Sequence, residues 1–507
     1  MLFKYVKFLT LVFYVFLPLN HCSTFDYSYQ LFARASNKNK KKKEKNKVVE
    51  ELYVRDTVPP YITGHQDYAA FRIPTLLVDE NWIYTFAQGR KDSYEDFSGA
   101  QHIVFRRSKT RGRKWKKMQI LVEGEEGYMC GPMSPILIDK NTILLMYVEQ
   151  HELEKRSEVF TIKTKDAGNN WSKPKNVTDK VRRAYDENLS GKWFGVGPSS
   201  GIVKKYSPHK GRIILVASQS GVKIDGKHQK FAPSHLIFSD NGGDDWEIGA
   251  TMSIKSKEAT VVELANGDVM INARNNDLEH RIVGLSQDGG ENFVVHGSES
   301  DNDGKLLKDC GQSFFKVNKD YKCGVHSGLL VHTQSSSADK SVLIFSNPQG
   351  EQIERTIGTL QRSINSGKTW KRNKIRYTDD IKEGDQGYSG YSNIALLDDG
   401  DSIGILFERG GTSPKDYEKG RALIENESWQ INFDTFNYEY NSKLDRSLKS
   451  RHKTAKPRHH MIDFKIIPFD AFSKKKLRQS IEEPKKGLKA CINMDSSVGD
   501  LRHNECQ

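Results

Sequence analysis

Ser239-Asp240-Asn241-Gly242-Gly243-Asp244-Asp245-Trp246 is the third of five similar stretches in this 507-residue chain. The shared pattern is Ser/Thr-x-Asp/Asn-x-Gly-x-x-Trp/Phe, and its copies occupy residues 108–115, 164–171, 239–246, 286–293 and 363–370. The Asp or Asn side chain can accept hydrogen bonds from the backbone of its own turn, and the glycine supplies a positive φ. Apolar, β-branched runs flank each copy, so each predicts a β-hairpin tip whose final aromatic ring returns to a core. We call these five segments the box turns.

The spacing of the box turns predicts how many strands lie between them. Their first residues are 56, 75, 47 and 77 positions apart, which suits four-stranded units with loops of variable length. The pattern resembles the Asp-box of sialidases, so the resemblance implies an all-β fold, a six-bladed β-propeller in which one blade lacks a box. The first copy departs from the pattern with Thr110 in the Asp position, and the fourth ends in Phe293.

The net charge of +13 is concentrated outside the region of the box turns. Residues 34–47 contain eight basic residues and one acidic residue, and residues 441–507 contain sixteen basic and eight acidic residues. The intervening residues 48–440 are slightly acidic, which argues against nucleic acid as a partner. We therefore expect a basic low-complexity linker over 24–50, a propeller over 51–440 and a poorly ordered basic tail over 441–507. Either basic segment could also support peripheral contact with an anionic membrane.

The N-terminus predicts a route through the secretory pathway. Lys4 and Lys7 precede an apolar run over 8–19, followed by small and polar residues, as in a signal peptide over 1–23. We expect a secreted or lumenal glycoprotein, with a lysosomal or membrane-associated location as variants. In an oxidising compartment, Cys310 with Cys323 and Cys491 with Cys506 are candidate disulfides, although sequence leaves the pairing open. No Cys-x-x-Cys or His-Glu-x-x-His motif occurs, so no metal is expected.

A second motif, Phe71-Arg72-Ile73-Pro74, precedes the first box turn. It matches the Phe/Tyr-Arg-Ile-Pro signature of sialidases, and the resemblance then covers about residues 60–440. It implies that Arg72 is the first of three arginines that bind the substrate carboxylate. The following segment, from Gly89 to Asp96, resembles the one that carries the family's acid/base residue. The resemblance places that role on Asp96, with Asp92 and Glu95 as near alternatives.

Further segments between and after the later box turns match the same family. The resemblance implies that Glu258 is the base that activates the nucleophile, with Glu263 as its alternative, and that Tyr391 is the nucleophile, with Tyr388 as its alternative. It implies that Arg274 and Arg355 complete the arginine set. Glu408 matches the acid that pairs with the first arginine.

The chemistry of sialic acid explains why these residue types belong together. Its anomeric carbon carries a carboxylate, and guanidinium groups form bidentate, charge-assisted hydrogen bonds with carboxylates. A neutral tyrosine avoids the repulsion that a carboxylate nucleophile would meet there, but its phenol needs a base. An acid that first protonates the leaving oxygen and then activates water gives two displacements and net retention.

The sequence therefore predicts an exo-α-sialidase that hydrolyses terminal sialic acids of glycoproteins, gangliosides and other glycolipids, and oligosaccharides, without a cofactor. Two alternatives remain open. A trans-sialidase would pass the sugar to another glycan, but such proteins usually carry a lectin-like β-sandwich after the propeller. A non-catalytic sialoglycan-binding propeller could keep the arginines and lose the catalytic groups, yet all three catalytic positions are occupied here.

Overall fold

The computed structural model describes the chain between residues 57 and 472. Within those limits it leaves out 64–65, 93–95, 97–98, 126, 152–155, 183–192, 221–222, 225–226, 229–231, 276–279, 298–324, 333–340, 350–354, 356, 371–374, 378–388 and 410–460. The predicted signal peptide, the basic linker, both candidate disulfides and the alternatives Glu95 and Tyr388 lie outside the described residues.

The described residues form an all-β fold. Its regular non-β elements are a one-turn helix, α1 (Thr178–Val181), and a 3-10 turn (Phe469–Phe472). A short strand, β1 (Tyr61–Ile62), comes first in the chain. The other strands group into six units of antiparallel strands; the first two units belong to one eight-stranded sheet, joined by a parallel bridge between Gln101 and Met129, and β1 belongs to the last unit.

The first three units contain the following strands. The first unit has β2 (Ala70–Val78), β3 (Ile83–Arg90), β4 (Gln101–Ser108) and β5 (Gln119–Val122). The second has β6 (Tyr128–Asp139), β7 (Thr142–His151), β8 (Arg156–Thr164) and β9 (Lys175–Asn176). The third has β10 (Phe194–Val196), β11 (Ile202–Val203), β12 (Ile213–Gln219), β15 (Ser234–Ser239) and β16 (Glu247–Thr251), with a separate hairpin of β13 (Lys223–Ile224) and β14 (Lys227–His228).

The last three units are built in the same way. The fourth has β17 (Lys257–Glu263), β18 (Val269–Arg274), β19 (Ile282–Ser286) and β20 (Val295–Gly297). The fifth has β21 (Leu329–His332), β22 (Val342–Pro348), β23 (Gly358–Ser363) and β24 (Ile375–Arg376). The sixth has β25 (Ser389–Leu396), β26 (Ser402–Arg409), β27 (Met461–Pro468) and β1.

Apolar residues cover both faces of the inner strands. Every residue of β12 and of β18 is buried, as expected for a sheet packed on both sides rather than exposed on one. Six hydrophobic clusters account for this burial, and each combines side chains of two neighbouring units. One of them joins Phe71 of the first unit to Phe464 of the sixth. Side chains of the first and the last unit therefore pack against each other.

The five box turns share one hydrogen-bond pattern. In each, the hydroxyl of the first residue accepts from the glycine N–H at 2.8–3.1 Å. The side chain of the third residue accepts from the N–H four positions later at 2.8–3.0 Å. Thr110 does this with its hydroxyl oxygen, so the departure from Asp keeps the bond. Each turn joins the last two strands of its unit, which confirms the predicted hairpins.

The sixth unit lacks a box turn because of its connectivity. Its fourth strand is β1, which pairs with β27 through Tyr61 opposite Ile462. These two strands come from opposite ends of the described chain, so no hairpin can join them.

The expected boundary at residue 440 needs correction. Residues 461–468 form β27 at the centre of the sixth unit, paired with β26 on one side and β1 on the other. The predicted tail over 441–507 therefore contains part of the fold. The sequence did not reveal this mostly apolar strand of eight residues, because the residues around it are strongly basic.

Candidate active site

Backbone irregularities lie on four of the strands that begin a unit, and three of these strands carry residues predicted for the site. The pairing register shifts between Arg72 and Thr75 in β2, between Lys257 and Thr260 in β17, and between Ser389 and Ser392 in β25. A bulge interrupts the alternation of side chains and re-aims them, often beside an active site. The positive φ values of Ile73 (58°) and Glu258 (49°) belong to the first two of these bulges.

Glu408 anchors the first arginine. Its carboxylate accepts from Nε and Nη2 of Arg72 at 3.1 and 3.3 Å, and from the backbone N–H groups of Ile73 and Tyr391 at 3.0 and 3.1 Å. Glu408 is completely buried. A buried carboxylate needs such a set of donors, and this one fixes Arg72 and the backbone of Tyr391 together.

Asp96 contacts two arginines. Its Oδ1 accepts from Nη1 of Arg72 and from Nη2 of Arg90, each at 2.8 Å, while its side chain stays 61% exposed. Partial desolvation favours the protonated acid, but Arg72 and then Arg90 outweigh it and hold the pKa of Asp96 below its ordinary value. In this state Asp96 is an ionised carboxylate.

Tyr391 and Glu258 are joined by a short hydrogen bond. The Tyr391 hydroxyl donates to Oε1 of Glu258 at 2.5 Å, and Nη1 of Arg274 donates to Oε2 of Glu258 at 2.5 Å and to the Tyr391 hydroxyl at 3.2 Å. Burial opposes ionisation of Glu258, but Arg274 and Lys257 lower its pKa to about 2. Burial, and then the charge of Glu258, raise the pKa of Tyr391. The pair is thus a neutral phenol hydrogen-bonded to an ionised base.

The remaining arginine completes a group around the tyrosine ring. The guanidinium carbon of Arg355 lies 5.5 Å from the centroid of the Tyr391 ring, and that of Arg72 lies 5.4 Å from it. These separations are within the range of cation–π attraction. The structure therefore brings together Arg72, Asp96, Glu258, Arg274, Arg355, Tyr391 and Glu408, which come from four of the six units.

A cavity of about 190 Å³ opens on this group. Its lining includes Arg72, Asp96, Glu258 and Tyr391, and the second and third units add Met129, Pro132, Trp193 and Ser218. A larger cavity of about 960 Å³ is lined by Glu263. Size alone would favour the larger cavity, but the paired tyrosine and base lie in the smaller one.

The geometry separates the sequence alternatives that lie within the described residues. Glu263 lies at the opposite end of β17 from Glu258, where it accepts from Nζ of the buried Lys204 at 2.8 Å and from two backbone N–H groups. The carboxylate of Asp92 lies beside Gly99, where a Cβ on the glycine would meet it at 2.9 Å. Of these alternatives, Glu258 and Asp96 are therefore the carboxylates that contact the predicted arginines of the site.

Two residues of the site escaped the sequence analysis. Arg90 is completely buried, and burial together with the nearby charge of Arg72 lowers its pKa to about 10. His326 is also completely buried, and the centroid of its ring lies 5.9 Å from that of Tyr391. Burial lowers the pKa of His326 to about 4, so the imidazole is neutral near pH 7. Arg90 lies in the segment from Gly89 to Asp96 that resembles the family, so its position could have indicated a role in the site. Nothing in the sequence indicates such a role for His326.

The described residues contain neither a candidate metal cluster nor a candidate membrane-spanning helix. No group of three or more His, Cys, Asp or Glu side chains there is arranged to hold a metal ion. No helix in that part of the chain has the length and apolar character needed to cross a bilayer.

Comparison with known proteins identifies the family. The BNR repeat-like domain matches residues 84–403. A sialidase of Micromonospora viridifaciens is 25% identical over 385 residues, which covers 71% of this chain and 53% of the relative. A sialidase of Bacteroides fragilis is 25% identical over 371 residues, covering 68% and 61%. The chain thus spans between half and two thirds of the length of these two relatives.

A solved structure shares the fold. The Hadza microbial sialidase Hz136 superposes with a TM-score of 0.54 at 22% identity, covering 68% of this chain and 65% of that one. The chain therefore belongs to the BNR repeat-like domain family, and the relatives that it resembles over most of its length are sialidases.

Proposed function

We propose that this chain is an exo-α-sialidase that hydrolyses terminal sialic acid with retention, using Tyr391 as its nucleophile. The observation that carries the proposal is the 2.5 Å hydrogen bond from Tyr391 to Glu258 within a group of three arginines. The substrates would be sialylated glycoproteins, gangliosides and oligosaccharides.

Substrate binding would begin at the arginines. The carboxylate on the anomeric carbon would bind Arg72, Arg274 and Arg355, whose charges persist at any physiological pH. Glu408 supports this role because it neutralises Arg72 from its buried side and leaves Nη1 directed toward Asp96. The substrate carboxylate would then compete with Asp96 for Arg72.

The first displacement would transfer the sugar to the enzyme. The Tyr391 oxygen bonds to the anomeric carbon as its proton passes to Glu258, and the bond to the leaving oxygen breaks as that oxygen takes a proton from Asp96. A neutral phenol activated by an adjacent carboxylate meets the requirement for an enzymatic nucleophile. In the second displacement, water gives its proton to Asp96 and attacks the same carbon, and Tyr391 leaves and regains its proton from Glu258.

Asp96 must be protonated to act as the acid, although two arginines keep it ionised in the unliganded site. Neutralisation of Arg72 by the substrate carboxylate would weaken one of these two influences. The pKa of Asp96 would then rise in the complex, when the acid is needed.

The fold would be a six-bladed β-propeller. Supporting this, β2 contacts β6, β6 contacts β10 and β11, β11 contacts β17, β17 contacts β21, β21 contacts β25, and β25 contacts β2. Such a cycle of first strands places one end of each around a common centre, where residues of several units can meet. We further propose entry into the secretory pathway, on the basis of the apolar segment over 8–19.

The test uses the purified chain, a fluorogenic sialoside and the variant Tyr391→Phe. We expect the parent to release free sialic acid and the variant to lose turnover by on the order of 10³-fold or more. Sialic acid binding, measured by calorimetry, should change little, because only one hydroxyl is removed.

The matched control is Tyr84→Phe, which removes the hydroxyl of another buried tyrosine that donates to Asp79 at 2.6 Å. This variant should keep parental turnover. A parent without sialidase activity, or Tyr391→Phe acting at the parental rate, would refute the proposal. Adding lactose to the same assay separates hydrolysis from transfer.

A further inference from the structure

Lys257 reaches the cavity through the bulge in β17. In a regular strand, neighbouring side chains point to opposite faces, so Lys257 and Glu258 could not both line one pocket. The register shift between Lys257 and Thr260, with Glu258 at a φ of 49°, breaks that alternation. Both residues line the cavity of the site. Lys257 is also close enough to Glu258 to lower the pKa of its carboxyl.

Lys257 shares the cavity with residues that take no part in the proposed reaction. Trp193 and Ser218 of the third unit and Pro132 of the second are among them. Gly195 leaves room for the tryptophan, because a Cβ there would lie 2.8 Å from the Trp193 ring and 3.2 Å from Pro132. This part of the cavity thus combines the aromatic surface of Trp193 with the hydroxyl group of Ser218 and the ammonium group of Lys257.

The chemistry of the substrate determines what this part of the cavity would meet. With the carboxylate at the arginines and the leaving oxygen at Asp96, both groups on the anomeric carbon are accounted for. The remainder of the sugar, which carries the C5 substituent and the C7–C9 polyol chain, must extend along the rest of the cavity. Those groups present oxygen acceptors, and an ammonium group has three donors to offer them.

We propose that Lys257 is a specificity-determining residue that donates a hydrogen bond to an oxygen on the part of sialic acid remote from the anomeric carbon. The inference rests on the proposed sialidase function and names a further contact of the same site. Two sources of that oxygen are distinguishable by experiment: the C7–C9 polyol and the acyl group at C5.

The experiment compares Lys257→Met, Lys257→Arg and the parent on three fluorogenic sialosides. One is the intact N-acetyl sugar, one lacks C8 and C9, and one carries a hydroxyl in place of the acylamino group at C5. Methionine preserves the length of the chain without its donor. The matched control is Lys173→Met, an exposed lysine beside the second box turn.

We expect Lys257→Met to reduce kcat/KM on the intact sugar by about 10- to 100-fold, the worth of a hydrogen bond to a charged group. Lys257→Arg should recover part of this loss, and Lys173→Met should cause none. The loss should disappear on the truncated sugar if the polyol is the partner, and on the C5-hydroxyl sugar if the acyl group is the partner.

A pH profile provides a second readout that a purely structural role would not change. Because a cation favours the ionised form of Glu258, its removal should raise the pKa of that carboxyl and move the acid limb of kcat/KM to higher pH. Lys257→Arg keeps the charge and should leave the limb in place. Thermal unfolding checks that each variant is folded.

The outcomes separate the two proposals. Equal loss on all three sugars, or no loss on any, in a chain that hydrolyses sialosides would overturn the role of Lys257 and leave the sialidase function standing. Failure of the parent to hydrolyse any of the three would overturn the sialidase function and this inference with it.

Discussion

The box turns and the active-site ends of the strands use polar residues in opposite ways. In each box turn, a hydroxyl, an Asp, Asn or Thr side chain and nearby N–H groups satisfy one another within eight residues. At the site, acids and arginines from four units depend on each other across the fold, with Arg72 and Glu408 separated by 336 positions. Local repetition stabilises the units, whereas the single long-range arrangement carries the chemistry.

The largest effect expected from breaking the long-range arrangement is that of Glu408→Gln. Glutamine would place an amide against Arg72 or against the N–H groups of Ile73 and Tyr391, and it would leave the arginine charge uncompensated. Removing one partner of a buried pair costs about 3–5 kcal/mol. We expect a loss of that order in the free energy of unfolding and a decrease in kcat/KM of at least about 100-fold.

Asp463→Asn is the control for Glu408→Gln. Asp463 pairs with Arg409 at 3.1 Å within the same unit but does not line the cavity. Urea unfolding should show a loss of stability, while kcat/KM of the folded protein stays near the parental value. Equal catalytic losses in the two variants would mean that the site has no special dependence on Glu408.

The corresponding change in a box turn is Gly243→Ala. Gly243 has a φ of 92°, and a Cβ there would lie 2.5 Å from a methyl carbon of Leu144. Strain and overpacking together should cost about 1–3 kcal/mol in urea unfolding, with unchanged turnover per folded molecule.

Gly242→Ala separates the two causes. Gly242 has a φ of 75° but open space around it, so only the backbone strain remains. A smaller loss than that of Gly243→Ala is expected, of about 1 kcal/mol. If the two variants were equally stable, contact with Leu144 would contribute nothing to this turn.

The ion pair between Asp96 and Arg72 predicts different pH profiles for free and occupied enzyme. Arg72 and Arg90 lower the pKa of Asp96 in the free site, and the substrate carboxylate should weaken the influence of Arg72. The limb at which the acid loses its proton should therefore lie at higher pH in kcat than in kcat/KM, by about one unit. Coincident limbs would show that substrate does not release Asp96 from Arg72.

The smallest effect is expected from Thr110→Asp in the first box turn. The Thr110 hydroxyl already accepts from the N–H of Lys114 at 2.8 Å. In the second turn, Oδ1 of Asp166 accepts from two N–H groups, so aspartate adds one acceptor interaction at most. We expect the free energy of unfolding to increase by less than about 0.5 kcal/mol, seen as a small rise in the midpoint of thermal unfolding. A loss of stability would mean that the turns are less alike than their bonding suggests.

The two regions also differ in how far sequence could predict them. The box turns were predictable because each is encoded within eight neighbouring residues. The roles of Glu258 and Glu263 could not be distinguished from sequence, because their positions at opposite ends of β17 are known only when the ends and partners of that strand are known. From sequence, Arg90 could not be told from a solvated surface charge, because its burial depends on the packing of the fold. The strand β27 could not be recognised within its basic segment, because its partners β26 and β1 are distant in sequence.

Covalent trapping tests the role of Tyr391 most directly. A 2,3-difluorinated sialic acid would transfer to the nucleophile and hydrolyse slowly, so that peptide mass spectrometry can locate the attached sugar. We predict the label on Tyr391 in the parent and no label in Tyr391→Phe. A label on Glu258 or Asp96, or hydrolysis of a sialoside by the parent with no label at Tyr391, would contradict the account.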